Sequence, residues 1–93
     1  MPEIQLSKTI EHNGENLDTI NLDLDGLTGA DLTQAETEHS IASGGLSGVA
    51  ELSKSYLAHV AARAAKLPVE DIKQLPAKDF SRVTMEVQNF LLE

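Results

Sequence analysis

The chain has 93 residues, a net charge of −8, no cysteine, no tryptophan and 3% aromatic residues. This size predicts a single domain, residues 1–93, with one modest core that buries about 60–65% of the unfolded-chain surface. The composition excludes disulfides, thiolate metal sites and cysteine nucleophiles, and it supplies few aromatics for a nucleic-acid stacking platform.

The charge is unevenly placed. Residues 1–40 hold nine acids against Lys8 alone, whereas residues 41–93 hold six acids and six bases. That sign is wrong for neutralising phosphates, so no nucleic-acid partner is expected; the acidic part favours solubility and can steer a basic partner. No stretch approaches the ~20 apolar residues of a membrane span, and the opening residues lack the apolar core of a signal peptide. A cytosolic chain without membrane contact is expected.

In chain order, a β-hairpin over about residues 3–25 comes first. Ile4, Leu6 and Ile10 alternate with polar residues, as do Ile20, Leu22 and Leu24, around His12-Asn13-Gly14-Glu15. A two-residue Asn13-Gly14 turn would set apolar positions against polar ones throughout. A three-residue His12-Asn13-Gly14 loop instead pairs Ile4 with Leu22 and Leu6 with Ile20, leaving Leu17 out of phase. Thr28-Gly29-Ala30-Asp31 has the form of a capping box and predicts a helix over about 29–42. Its apolar face, Leu32, Ala35, His39 and Ala42, is weak, and Ser43 to Gly48 reads as a flexible stretch.

A stronger helix is predicted over about 49–66, with Val49, Leu52, Tyr56, Leu57, Val60 and Ala64 on one face and further alanines around it. Leu67-Pro68-Val69-Glu70-Asp71-Ile72 then returns as Leu75-Pro76-Ala77-Lys78-Asp79-Phe80. Each Pro suits a helix start and each Asp a first turn, so two helices, about 68–75 and 76–92, are expected. In the last one Phe80, Val83, Val87, Phe90 and Leu91 form the core face, while Met85 and Leu92 lie on a second, smaller strip. The expected fold is therefore α+β, an N-terminal β-hairpin followed by a bundle of three to four helices.

Catalytic chemistry finds no motif. His12 lies in the hairpin turn, His39 on the weak helix face and His59 at the edge of the alanine-rich helix, with no two at metal-ligand spacing. Glu36, His39 and His59 could meet only through the fold; surface or edge histidines are the expectation. The serines lack a nucleophile-elbow context, and Gly44-Gly45-Leu46-Ser47-Gly48 lacks a phosphate-binding Lys-Ser/Thr. No cofactor, metal site or catalytic residue is expected, and the chain is read as a non-enzyme.

Four stretches carry a resemblance. Leu6 to Ile10, Leu27 to Leu32, Leu67 to Ile72 and Leu75 to Val83, in this order and spacing, resemble the small tail assembly chaperones of tailed bacteriophages. One departure is Ala65-Lys66, where relatives often carry a Thr-Gly turn; the helix is expected to run further here. The resemblance implies an assembly factor that binds the tape measure protein and keeps it soluble while the tail tube polymerises. Tail tube subunits and self-association are further contacts it allows. It places the protein in the bacterial host cytoplasm and outside the mature virion. Tyr56, Met85 and Leu92 are the candidate partner-binding residues, and Thr28, Asp31, Pro68 and Pro76 the structural caps. An acidic interaction module that mimics nucleic acid or inhibits a basic partner is the alternative.

Overall fold

The computed structural model describes residues 3–42 and 53–93. Strands β1 (Glu3–His12) and β2 (Glu15–Asn21) form an antiparallel hairpin, followed by helices α1 (Gly29–Ala42), α2 (Lys54–Ala65), α3 (Val69–Lys73) and α4 (Ala77–Leu91). The fold is α+β, as the apolar periodicities predict. The expected flexible stretch from Ser43 to Gly48 and the expected helical start at Val49 lie outside the described residues.

The hairpin closes differently from the expectation. Asn13 (φ 51°) and Gly14 (φ 81°) both have positive φ, which makes a two-residue turn of the type that matches strand twist. Near the turn Ile10 opposes Leu17 and His12 opposes Glu15; further out Ile4 opposes Ile20 and Glu3 opposes Asn21. Between these blocks, five steps along β1 from Gln5 to Ile10 meet two steps along β2 from Leu17 to Thr19, an excess of three residues on β1. An odd excess exchanges the faces of a strand. The short turn and the apolar pattern are thereby both satisfied, Leu17 falls in phase with Ile10, and neither Leu6–Ile20 nor Ile4–Leu22 forms as a pair.

Helix α2 is central. Tyr56, Leu57, Ala58, His59, Val60, Ala61, Ala62 and Ala64 are all buried, and α1, α3, α4 and β2 pack around it. Its alanines let these neighbours approach closely. Ser53 caps its start, accepting from the Tyr56 N–H at 3.4 Å. Its end corrects the expectation of a longer helix: Lys66 adopts φ 60°, ψ 41°, while the Leu67 and Lys66 N–H groups return to the carbonyls of Ala62 (3.0 Å) and Arg63 (3.3 Å). This is the left-handed stop that glycine usually supplies, and here a lysine adopts it.

The core is continuous from hairpin to α4. Ile20, Leu22, Leu57, Val60, Ile72, Val83 and Val87 are its most enclosed side chains, with Phe80, Phe90 and Leu91 packed on its margin. Leu22 and Leu24 extend it beyond β2, and the Asp23 N–H donates to the Ala64 carbonyl at 3.2 Å, tying this segment to the end of α2.

Candidate functional site

The repeated Leu-Pro-x-x-Asp segments form a corner between α2 and α4. Pro68 (ψ 148°) and Pro76 (ψ 151°) are extended and cap α3 and α4 from just outside the helices. Their carbonyls accept from the N–H groups of Asp71 at 3.0 Å and Phe80 at 2.9 Å. Each proline thus starts a turn without requiring the donor it lacks.

The two aspartates of the repeat both reach back to β1. Asp79 is 1% exposed and accepts from the Ser7 N–H at 2.9 Å, the Ser7 hydroxyl at 2.9 Å and the Arg82 guanidinium at 2.8 Å. Ser7 lies in the excess stretch of β1, where its N–H is released from the strand ladder. The strand irregularity therefore supplies the donor for a buried carboxylate in α4. The Ser7 N–H, followed by the Ser7 hydroxyl and Arg82, outweighs burial and holds the Asp79 carboxyl below its ordinary range. Arg82 also donates to the Gln5 carbonyl. Eight residues earlier in the chain, Asp71 contacts His12 Nδ1 at 2.5 Å and accepts from the Gln74 amide at 3.1 Å. Local sequence reasoning assigns both aspartates to helix dipoles; their partners are 59 and 72 residues away, so no local signal marks them.

A second polar cluster joins α1 to α2. Thr28 and Asp31 form a reciprocal capping box: Asp31 accepts from the Thr28 N–H at 3.0 Å, and Thr28 Oγ1 accepts from the Asp31 N–H at 3.3 Å. Arg63 reaches across from α2 to Asp31 at 3.1 Å and to Glu38 at 3.6 Å. The Thr28 N–H first, then Arg63, lower the Asp31 pKa.

Beneath this clasp, His59 Nδ1 lies 3.7 Å from Glu38, and its ring meets that of His39 edge-on at 6.2 Å. Both histidines are buried, contrary to the surface positions expected, and Glu38 stands beside His59 while Glu36 is exposed. Burial, and secondarily the charge of Lys73, lowers the His59 pKa and favours its neutral form. His59 Nε2 is buried without a hydrogen-bond partner among the described residues. A cleft of about 540 Å³ opens here between Asp31, Glu38, Arg63 and the Leu67-Pro68-Val69 turn. Among the described residues, no three His, Asp or Glu side chains converge as metal ligands would.

The candidate contact residues separate. Tyr56 is 5% exposed and turned into the core beside His39, whereas Met85 on α4 and Leu92 at its C-terminal cap are 58% and 60% exposed. Ile41, at 76% the most exposed large apolar side chain described, escaped sequence reasoning because it falls off the weak face of α1. No helix is long and apolar enough to cross a membrane among the described residues.

A family model described as phage tail assembly chaperone proteins, E, or 41 or 14, matches residues 3–92. No curated protein and no solved structure matches.

Proposed function

The chain belongs to the phage tail assembly chaperone family, and from that premise we propose that it binds the tape measure protein and keeps it soluble while the tail tube assembles around it. The family match along residues 3–92 carries this reading. Met85 and Leu92 support it, because two large apolar side chains left exposed, one on a well-packed helix and one at its end, offer a contact for a helical client. The role is non-catalytic: the chain shields client surface during assembly and stays in the host cytoplasm when the virion is complete. Tyr56, at 5% exposure, presents far less surface to a client than these two.

Co-expression with the tape measure protein is the test. The soluble fraction of the client rises when this chain is present, and the two co-purify. An unchanged soluble fraction overturns the reading.

A further inference from the structure

Where the corner meets the first turns of α4, two hollows of about 540 and 550 Å³ adjoin and share Ala77 and Ser81. Leu75, Ala77 and Phe80 give one hollow its apolar lining, and Ala77 carries it into the other. Lys54 at the start of α2, Lys73 at the end of α3 and Lys78 in the first turn of α4 stand around it. All three lysines are exposed, and none makes an ion pair among the described residues. Among the described residues, the one carboxylate lining the hollows, Asp79, is buried and taken up by Ser7 and Arg82. In a chain of net charge −8, three unpaired cations therefore gather around one apolar groove.

We propose that this groove receives an acidic amphipathic helix of the partner protein, with apolar side chains over Phe80 and Leu75 and carboxylates towards Lys54, Lys73 and Lys78. The geometry fits a helix-in-groove contact. Ala77 and Ser81 stand one turn apart on α4 and set the length of the groove; a turn further on, Met85 lies beside Glu3 and Glu86, which confines an acidic occupant to the two hollows. The charge selects the occupant: a basic segment meets like charge at three points, while an acidic one finds cations that no described residue engages. This assignment rests on the chaperone reading for the identity of the partner, but the groove's preference is a property of the chain alone.

The probe is a pair of synthetic amphipathic helical peptides with the same apolar face, flanked by glutamates in one and lysines in the other. Fluorescence anisotropy with the wild-type chain is expected to give at least about tenfold tighter binding of the glutamate peptide, weakening with added salt. The triple variant Lys54→Glu, Lys73→Glu, Lys78→Glu is expected to reverse the preference, and that gained binding also shows that the variant is folded. Equal affinity for both peptides overturns the proposal. So does sedimentation showing a wild-type dimer that the triple variant abolishes, since a second copy then fills the groove. Client co-expression separates the two readings. A triple variant that solubilises the tape measure protein as well as wild type leaves the chaperone reading standing and overturns the groove. A wild-type chain that prefers the glutamate peptide but solubilises no client retains the groove and overturns the chaperone role.

Discussion

The junctions of α4 and of α1 with the rest of the molecule are built on opposite principles. Helix α4 buries Val83 and Val87 completely, and its one buried carboxylate, Asp79, has a donor for each oxygen. Among the described side chains of helix α1, Ala35 is the one fully buried apolar group, with Leu32 at the margin. Its attachment is completed by an ion-pair clasp whose members are roughly a third exposed, Arg63 at 32%, Asp31 at 29% and Glu38 at 41%. Under that clasp lies a histidine nitrogen without a partner among the described residues. Exposed charge pairs contribute little and are screened by salt, whereas burial of aliphatic side chains contributes in proportion to the area removed from water. The lesson is that α4 belongs to the cooperative core, while α1 can open locally at low cost.

The same insult applied to both helices gives the largest contrast. Val83→Asp places an unpaired carboxylate in the core at a cost of several kcal/mol, a large share of the roughly 5–15 kcal/mol that holds a typical domain together. Circular dichroism is expected to show loss of the cooperative thermal transition. Ala35→Asp, at an equally enclosed position, is expected to leave that transition in place and to accelerate hydrogen exchange in residues 29–42 alone. Global unfolding by Ala35→Asp would erase the distinction.

Asp79 provides the next test. Its carboxyl titrates below the ordinary value in the folded chain, so the stability it contributes is present above the unfolded-state pKa of about 3.9 and is lost as pH falls through the folded value. Asp79→Asn is expected to lower the melting temperature at pH 7. The gap between its curve and the wild-type curve is expected to narrow as the pH falls below about 3.9 and to close only below the still lower folded value, where the wild-type carboxylate is protonated. A constant difference across the acid range would show that shape, and not charge, matters at this position.

On the α1 side the effects are smaller. His59 is held neutral, with a folded pKa below the ordinary value; protons therefore favour the unfolded chain as pH drops below about 6.5. His59→Leu removes both this sensitivity and the partnerless nitrogen. Thermal unfolding is expected to show a change within about 1 kcal/mol at pH 7, and an advantage for the variant that grows as the pH is lowered towards 5. The smallest effect is expected from Arg63→Gln. Opening the clasp should raise exchange in α1 by about two- to fivefold, with no shift in the global transition. A large loss of global stability would mean that the clasp supports the core.

Much of this fold is legible in the chain because its punctuation is local. Thr28 and Asp31 cap α1 through groups three residues apart, and Pro68 and Pro76 start turns closed by the next few residues. The stripe of Phe80, Val83, Val87, Phe90 and Leu91 needs only the 3.6-residue period of a helix. The exposure of Met85 and Leu92 was legible too, because both are apolar residues off the core stripe. The burial of Tyr56 was not, since its position on the α2 face cannot reveal that α1 closes over it.

Three features depended on tertiary structure alone. The hairpin register reconciles a two-residue turn with the apolar pattern through three extra residues in β1, a solution chosen by the core and by Asp79, which engages the released Ser7 N–H. Lys66 ends α2 in a conformation usually left to glycine, because the chain must turn there into the Leu-Pro corner. The lysines of the groove come from three helices and meet only after that corner has formed. The sequence by itself determined where elements begin and which faces are apolar, since caps and periodicity act over a few residues. Register, the partners of buried charges and the convergence of Lys54, Lys73 and Lys78 were decided by the tertiary structure, because each requires groups distant in the chain to compete for the same space.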